Sequence, residues 1–125
     1  MKMSLDDAGD LNVISAYEDG QVRIRGEVHA TSVLILPRRI VKQALPAHVG
    51  QLNEASFSDV LESGSAILIV GTGKHQVFPS PVVFAPLMAA GIGYEVMDNP
   101  AACRTFNILL GENRDAALLL LANEA

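Results

Sequence analysis

Four consecutive aliphatic residues, Ile67-Leu68-Ile69-Val70, followed at once by Gly71-Thr72-Gly73, constrain the fold more than any other stretch of this chain. A strand without polar alternation has to be covered on both faces, as in a parallel sheet. Downstream, Ser80-Pro81 has the form of an N-cap followed by a first helical residue, because proline has no N–H to leave unpaired there and its φ is already helical. A helix is therefore expected over Val82 to Ala90, closed by Gly91 in the left-handed conformation. Pro86 works against this helix, since it removes an intrahelical hydrogen bond and should kink or shorten it. Gly93 to Met97 is the next expected strand. Asn99-Pro100 repeats the cap-then-proline signal for a helix to about Leu110, stopped at Gly111. In the resulting β-loop-α-β-α unit, a right-handed crossover opens both strand C-termini on one sheet edge. Gly71 to Gly73 and Asp98-Asn99 should therefore be neighbours.

The rest of the chain supports a single domain. Residues 1 to about 10 are acidic and contain Gly9, so a disordered tail is expected there, with the folded domain over 11–125. Leu11 to Tyr17 has a strand pattern, Glu18-Asp19-Gly20 a turn, and Gln21 to Val28 alternates, with Val22, Ile24 and Val28 apolar between Arg23, Arg25 and Glu27. This predicts an N-terminal antiparallel hairpin with the two arginines facing solvent. Ser32 to Leu36 is another apolar strand, ended by Pro37. Phe57 to Glu62 can form a short helix capped by Ser56. Arg114 to Leu121 favours helix by propensity, but a helix apolar all round would need cover on every side, so a strand is expected.

At 125 residues and 50% hydrophobic, the chain has enough apolar material for a core without disulfides or metal. Its single cysteine, Cys103, fits a reducing compartment. Met1 to Asp7 has no apolar signal region, and no apolar run is long enough to span a membrane, so a cytoplasmic location is expected. The net charge of −5 is uneven: Arg23, Arg25, Arg38, Arg39 and Lys42 against Glu27 leave Gln21–Lys42 at +4 and the remainder at −9. Such a segment can dock an acidic partner or nucleic acid. Five cations without interleaved aromatics are nevertheless a weak nucleic-acid signal, and an ordinary solvated face is expected.

Gly71-Thr72-Gly73-Lys74 after a buried strand invites a phosphate-loop reading, in which freed backbone N–H groups cradle a small anion and Lys74 adds charge. Stricter tests fail, because Gln76 stands where a dinucleotide fingerprint has its third glycine and His75 where a Walker loop has Ser or Thr. Close chain packing with positive φ is the alternative. His29, His48 and His75 have no partners at ligand spacing, so neither a metal nor another cofactor is expected, and no Ser sits in a nucleophile elbow. Cys103 lies near a helix start beside Arg104, where a thiolate is favoured, but also borders the apolar stripe Ala102-Phe106-Leu109-Leu110, and a packing role is expected. Glu95, inside a strand expected to be buried, needs either a crevice or a backbone N–H to anchor.

Three motifs in order, Ile69-Val70-Gly71-Thr72-Gly73, Gly91-Ile92-Gly93-Tyr94-Glu95-Val96-Met97-Asp98 and Ala102-Cys103-Arg104-Thr105-Phe106-Asn107, resemble the MTH-type domain-of-unknown-function family, which includes a mitochondrial assembly factor of respiratory complex I. The resemblance covers about Leu11 to Leu121. It implies a three-layer α/β domain with a central mixed, mostly parallel sheet whose last strand is antiparallel, no established enzymatic activity, and action through protein partners. Two functional expectations follow. The first is a non-enzymatic binding or assembly-factor-like module. The second is a small-ligand protein or enzyme using a crevice formed by Gly71, Thr72, Gly73, Lys74, Glu95, Asn99, Cys103 and Arg104.

Overall fold

The computed structural model describes residues 12–122; the expected disordered tail lies outside them. Three short strands come first: β1 (Ile14–Glu18), β2 (Gln21–Ile24) and β3 (Glu27–His29), paired antiparallel in the order β1-β2-β3. Both connections are two-residue turns with positive φ at each central residue, Asp19-Gly20 at 50° and 76° and Arg25-Gly26 at 51° and 83°. That geometry matches the right-handed twist of the strands it joins. The second turn corrects the sequence expectation of one strand over Gln21–Val28. Reversal at Arg25-Gly26 pairs Arg23 with Val28 and Val22 with His29, so Val28 shares the outer face and His29 the inner one. Val22 and Ile24 are buried as expected, while Val28 is 44% exposed. Arg23 and Arg25 both face solvent, the latter because it sits in the turn.

The main sheet contains β4 (Val33–Ile35), β5 (Ile40–Val41), β6 (Ile67–Gly71), β7 (Gly93–Met97) and β8 (Ala116–Leu120), in the order β5-β4-β8-β6-β7. Its helices are α1 (Ser58–Glu62), α2 (Ala85–Ala89) and α3 (Asn99–Gly111). β6 pairs parallel with both β7 and β8, whereas β4 pairs antiparallel with β8 and β5. The sheet is thus mixed, with parallel and antiparallel pairings in equal number. The last strand is antiparallel only to β4. The chain leaves β6 toward β7 on one side and then returns over β6 to β8 on the other. Under the right-handed crossover rule, that reversal of direction places the two connections on opposite faces.

Opposite covers explain the uninterrupted apolar strands. Leu68, Val70 and Leu119 pack on one face against Phe57, Val60, Val83, Phe84 and Leu87. Ile69, Leu118 and Leu120 pack on the other against Ala102, Phe106, Leu109 and Leu110 of α3 and Ile14, Val22 and Ile24 of the small sheet. These are the three layers. β6 and β8 are central, so alternate residues on both faces have to be apolar.

Helix ends depart from the sequence expectations in instructive ways. Pro86 splits the expected Val82–Ala90 helix into a 3₁₀ turn, Pro81–Phe84, and α2, in whose first turn Pro86 needs no N–H. Ser80 makes no side-chain capping bond. Gly91 does close α2, with φ of 75° and bonds from Gly91 N to Met88 O (3.1 Å) and Ile92 N to Leu87 O (2.9 Å). α1 is preceded by a 3₁₀ turn, Glu54–Phe57, capped by Asn53 rather than Ser56, whose hydroxyl instead accepts from Asn53 N. Gly111 does not stop α3. Asn113 does, at φ of 61°, through Asn113 N to Leu110 O (2.9 Å) and Arg114 N to Leu109 O (3.0 Å).

Two glycine substitutions should therefore have opposite signs. Gly91→Ala places a Cβ at positive φ and should destabilise by about 1–2 kcal/mol. Gly111→Ala, inside the helix and facing open space, should stabilise by about 0.5–1 kcal/mol. Urea unfolding of both variants checks the pair, and equal effects would contradict the assigned helix end.

Candidate functional site

The C-terminal ends of β6, β7 and β8 lie abreast, with Gly71 in register with both Met97 and Leu120. Asn99, 2% exposed, joins them. Its Oδ1 accepts from Gly73 N (2.9 Å), and its Nδ2 donates to Leu121 O (3.0 Å) and to the Tyr17 hydroxyl of β1 (2.9 Å). Its backbone N donates to Gly73 O (2.8 Å). One carboxamide thus ties the loop after β6, the chain after β8, the small sheet and the start of α3. The N-cap of α3 is the preceding residue, Asp98, whose Oδ1 accepts from Ala101 N (2.9 Å). Asp98 takes the capping role expected of Asn99, which leaves the neutral side chain to enter the core, where a carboxylate would carry a large desolvation cost.

Glycines at 71 and 73 serve this contact. A Cβ on Gly71 would overlap Asn99 Oδ1 and come within 2.7 Å of Leu120 Cδ2. Gly73 has a φ of 100°. Thr72, fully buried, organises the rest of the loop: its hydroxyl donates to His75 O (2.5 Å) and accepts from Val77 N (3.1 Å), while Thr72 N donates to Met97 O (2.9 Å). The amides of Thr72 and Gly73, which an anion would need, are both committed to protein acceptors. The loop and the helix start are neighbours, as the crossover predicts, and they touch directly.

The other candidates are distributed around this junction. Lys74 is exposed and borders a hollow of about 710 Å³ with His75, Pro100, Ala122 and the Tyr17–Gly20 turn. Glu95 borders a separate groove of about 560 Å³ with Gln76, Phe78, Phe84 and Tyr94. It is exposed because β7 is the edge strand, which corrects the expectation that its carboxylate sits inside a buried strand. Cys103 is 4% exposed, and burial pushes its thiol up to about 12 although Arg104 pulls the other way. Arg104 itself is exposed, and the two border a shallow hollow with Ile14, Tyr17 and Asn107. Tyr17 and Gln76 were not marked by sequence. A tyrosine in an alternating strand and a glutamine in a loop acquire meaning only when a distant chain segment reaches them.

Charges elsewhere are partly paired. Arg39 bonds Asp59 (3.0 Å) and Lys42 bonds Glu27 (2.8 Å), so two of the five cations of Gln21–Lys42 have partners while Arg23, Arg25 and Arg38 face solvent. Lys42, and then His29, hold the exposed Glu27 carboxyl below its ordinary value. Among the described residues no group of three or more His, Cys, Asp or Glu is placed to hold a metal. No helix among them is long and apolar enough to cross a membrane.

Asn99→Ala should leave Gly73 N–H and Leu121 C=O buried without partners and lower stability by about 2–4 kcal/mol in urea unfolding. Loss of less than about 0.5 kcal/mol would show that the bridge is dispensable. Cys103 should react with a small electrophile at neutral pH more than ~tenfold slower than free cysteine, with the rate rising on unfolding. Burial also raises the Tyr17 phenol, the Asn99 hydrogen bond opposing it. Both groups hold their protons more tightly in the folded chain, so their contribution to stability is complete below the ordinary thiol value of 9.0 and declines as pH rises toward about 12. Equilibrium unfolding at pH 8 and above measures this slope.

Residues 14–121 match the family described as "Protein of unknown function (DUF498/DUF598)". The chain is 33% identical over 110 residues to the Mus musculus NADH dehydrogenase (ubiquinone) 1 alpha subcomplex assembly factor 3, an alignment covering 86% of this chain and 59% of that protein. The chain thus spans about three fifths of that curated relative. A crystal structure of a Bordetella parapertussis protein superposes with a TM-score of 0.83 at 29% identity, covering 90% of this chain and 97% of the other. A solution structure from Bordetella pertussis, described as a Mth938-like domain, gives 0.80 at 26% identity over 100% and 95%. With the family match spanning both sheets and all three helices, the chain belongs to the DUF498/DUF598 family, has the Mth938-like fold and is homologous to the NADH dehydrogenase assembly factors.

Proposed function

We propose that this protein is a non-enzymatic, assembly-factor-like module that acts through protein partners in a reducing, cytoplasmic compartment. One observation carries the reading. At the sheet edge where α/β domains usually hold ligands, the polar groups of Gly73, Asn99, Tyr17 and Leu121 are bonded to one another, and the one thiol nearby is buried and neutral. That arrangement stabilises a junction, and its bonded groups do not form a set of nucleophile, base and orienter among the described residues. Kinship with proteins named as NADH dehydrogenase assembly factors supports the same role here. The test is removal of the protein from its host, with the membrane NADH dehydrogenase resolved on native gels. Accumulation of partial complexes, reversed by the wild-type chain, is expected. Normal complex levels and activity in its absence would reject the assembly role.

The 710 Å³ hollow beside Lys74 and His75 favours a second reading, a protein that takes a small anionic ligand between that loop and the Tyr17–Gly20 turn. Titration with inorganic phosphate, followed by thermal shift, separates the two. A saturable rise in melting temperature that Lys74→Ala removes would support the ligand reading, and no shift up to millimolar phosphate would exclude phosphate as its ligand.

A further inference from the structure

From Gln76 to Tyr94 the chain carries no Asp, Glu, Lys or Arg. Much of this uncharged segment is nonetheless on the surface: Phe78, Val82 and Met88 are 70%, 60% and 65% exposed. Val83, Phe84 and Leu87 from the same stretch already fill the core, so the fold itself does not require the outward set. Single exposed hydrophobes are ordinary, and of these three it is Phe78 that lines a groove, which sets it apart from the others. Between this segment and the sheet runs the groove of about 560 Å³, bounded by Gln76, Phe78, Pro79 and Pro81 on one side and by Tyr94, Glu95 and Val96 of β7 on the other. Stacked rings stiffen its wall, Phe84 lying 4.0 Å from Tyr94 and 5.4 Å from Phe57 between centroids.

The backbone of β7 decides what fits there. Gly93 N donates to Ala66 O (3.1 Å) and Thr72 N donates to Met97 O (2.9 Å), so the odd-numbered residues of β7 bond inward to β6. In a parallel ladder the alternate residues then direct their N–H and C=O away from the sheet, here Tyr94 and Val96. Val96 O accepts from Gln76 Nε2 (2.8 Å), which confirms the direction and blocks that end of the edge. Tyr94, with donor and acceptor both outward, is left as the pairing residue. An added antiparallel strand can exchange both bonds with it while alternate apolar side chains reach Phe78 and Phe84.

Charge selects among occupants. Among the described residues, Glu95 is the one acidic or basic residue bordering the groove, its side chain alternating with those of Tyr94 and Val96. A second copy of the chain paired through Tyr94 would set the two Glu95 carboxylates on one face as diagonal neighbours, about 7–8 Å apart. Residues 1–11 carry Asp6, Asp7 and Asp10 against Lys2, an acidic balance that does not complement Glu95. An anionic lipid surface finds no cation in the groove. A strand with a lysine or arginine beside Glu95 is complementary.

We infer that the open edge of β7 at Tyr94, with Phe78 and Glu95, is a docking site for an extended partner segment in which apolar and basic residues alternate. This rests on the protein-partner reading above and names its surface. The experiment is NMR titration of the isotopically labelled 125-residue chain with two synthetic ten-residue peptides, one alternating Val and Lys and the other Val and Glu. The Val-Lys peptide should shift the Tyr94 and Val96 amides and slow exchange of the Tyr94 N–H, and the Val-Glu peptide should bind at least ~tenfold more weakly. Phe78→Ser and Glu95→Lys alter exposed side chains and should each weaken the Val-Lys peptide at least ~fivefold, with Glu95→Lys reversing the preference toward Val-Glu. Equal binding of the two peptides, shifts confined to other elements, or no effect of Glu95→Lys would overturn the site. So would perturbation of the same amides by vesicles of three parts phosphatidylcholine to one part phosphatidylglycerol, or by concentration-dependent dimerisation. Peptide binding at β7 with normal NADH dehydrogenase assembly in the deletion host would retain the site and reject the assembly role. The converse result would retain the role and move its surface elsewhere.

Discussion

The Asn99 carboxamide is the contact on which the arrangement of this domain turns. Its partners, Gly73, Leu121 and Tyr17, are 26, 22 and 82 residues away in the chain. A buried amide is costly when unpaired and stabilising when its hydrogen bonds are made, so this side chain rewards one relative placement of loop, sheet and hairpin and penalises the others. Gly71 is required by the same contact, since any Cβ there would occupy the volume of the amide. Asp98 is required as well, because it caps α3 and releases Asn99 from that task.

Around that junction, the reversal of chain direction at β7 determines which surfaces are free. β6 and β8 are enclosed by helices on one face, by α3 and the small sheet on the other, and by neighbouring strands, so every residue of both is buried apart from the partly buried Ile67. β7 is the strand at which the chain turns back, so it remains at the edge with one side of its backbone open. Gln76 covers part of that side through Val96 O. A side-chain cap on one carbonyl limits indiscriminate strand pairing and leaves a short opening of defined polarity. Phe78 and Glu95 lie beside this opening because the connection from β6 to α2 runs along it.

Strands and crossovers were legible because they follow from runs and periods within a few residues: Ile67–Val70, Gly93–Met97, Val33–Ile35 and the strand after Arg114 all appear where the apolar patterns place them. The family resemblance supplied the three-layer arrangement. Errors arose where two local signals competed. Arg25-Gly26 was hidden in an alternating run because Arg is an uncommon residue at positive φ. At the end of α3, Gly111 was the stronger stop by type, but Asn113 occupies the left-handed position. Pro86 was correctly seen as incompatible with one continuous helix, and the chain resolves the conflict by starting a second one at Ala85.

For the candidate site the division lies along sequence distance. Composition and pattern by themselves determined that the chain builds an apolar α/β core, that a glycine loop follows a buried strand, that this loop adjoins the start of a later helix, and that Cys103 borders the core. These conclusions depend on local preferences and on the handedness of crossovers, which act within a single unit. Tertiary structure alone decided that the loop amides bond to Asn99, that Tyr17 joins them, that Glu95 lies on an open edge and that the candidate residues border separate hollows. Each of these depends on strand order, and strand order is decided by the packing of both sheet faces together, a property that no single segment of the chain contains.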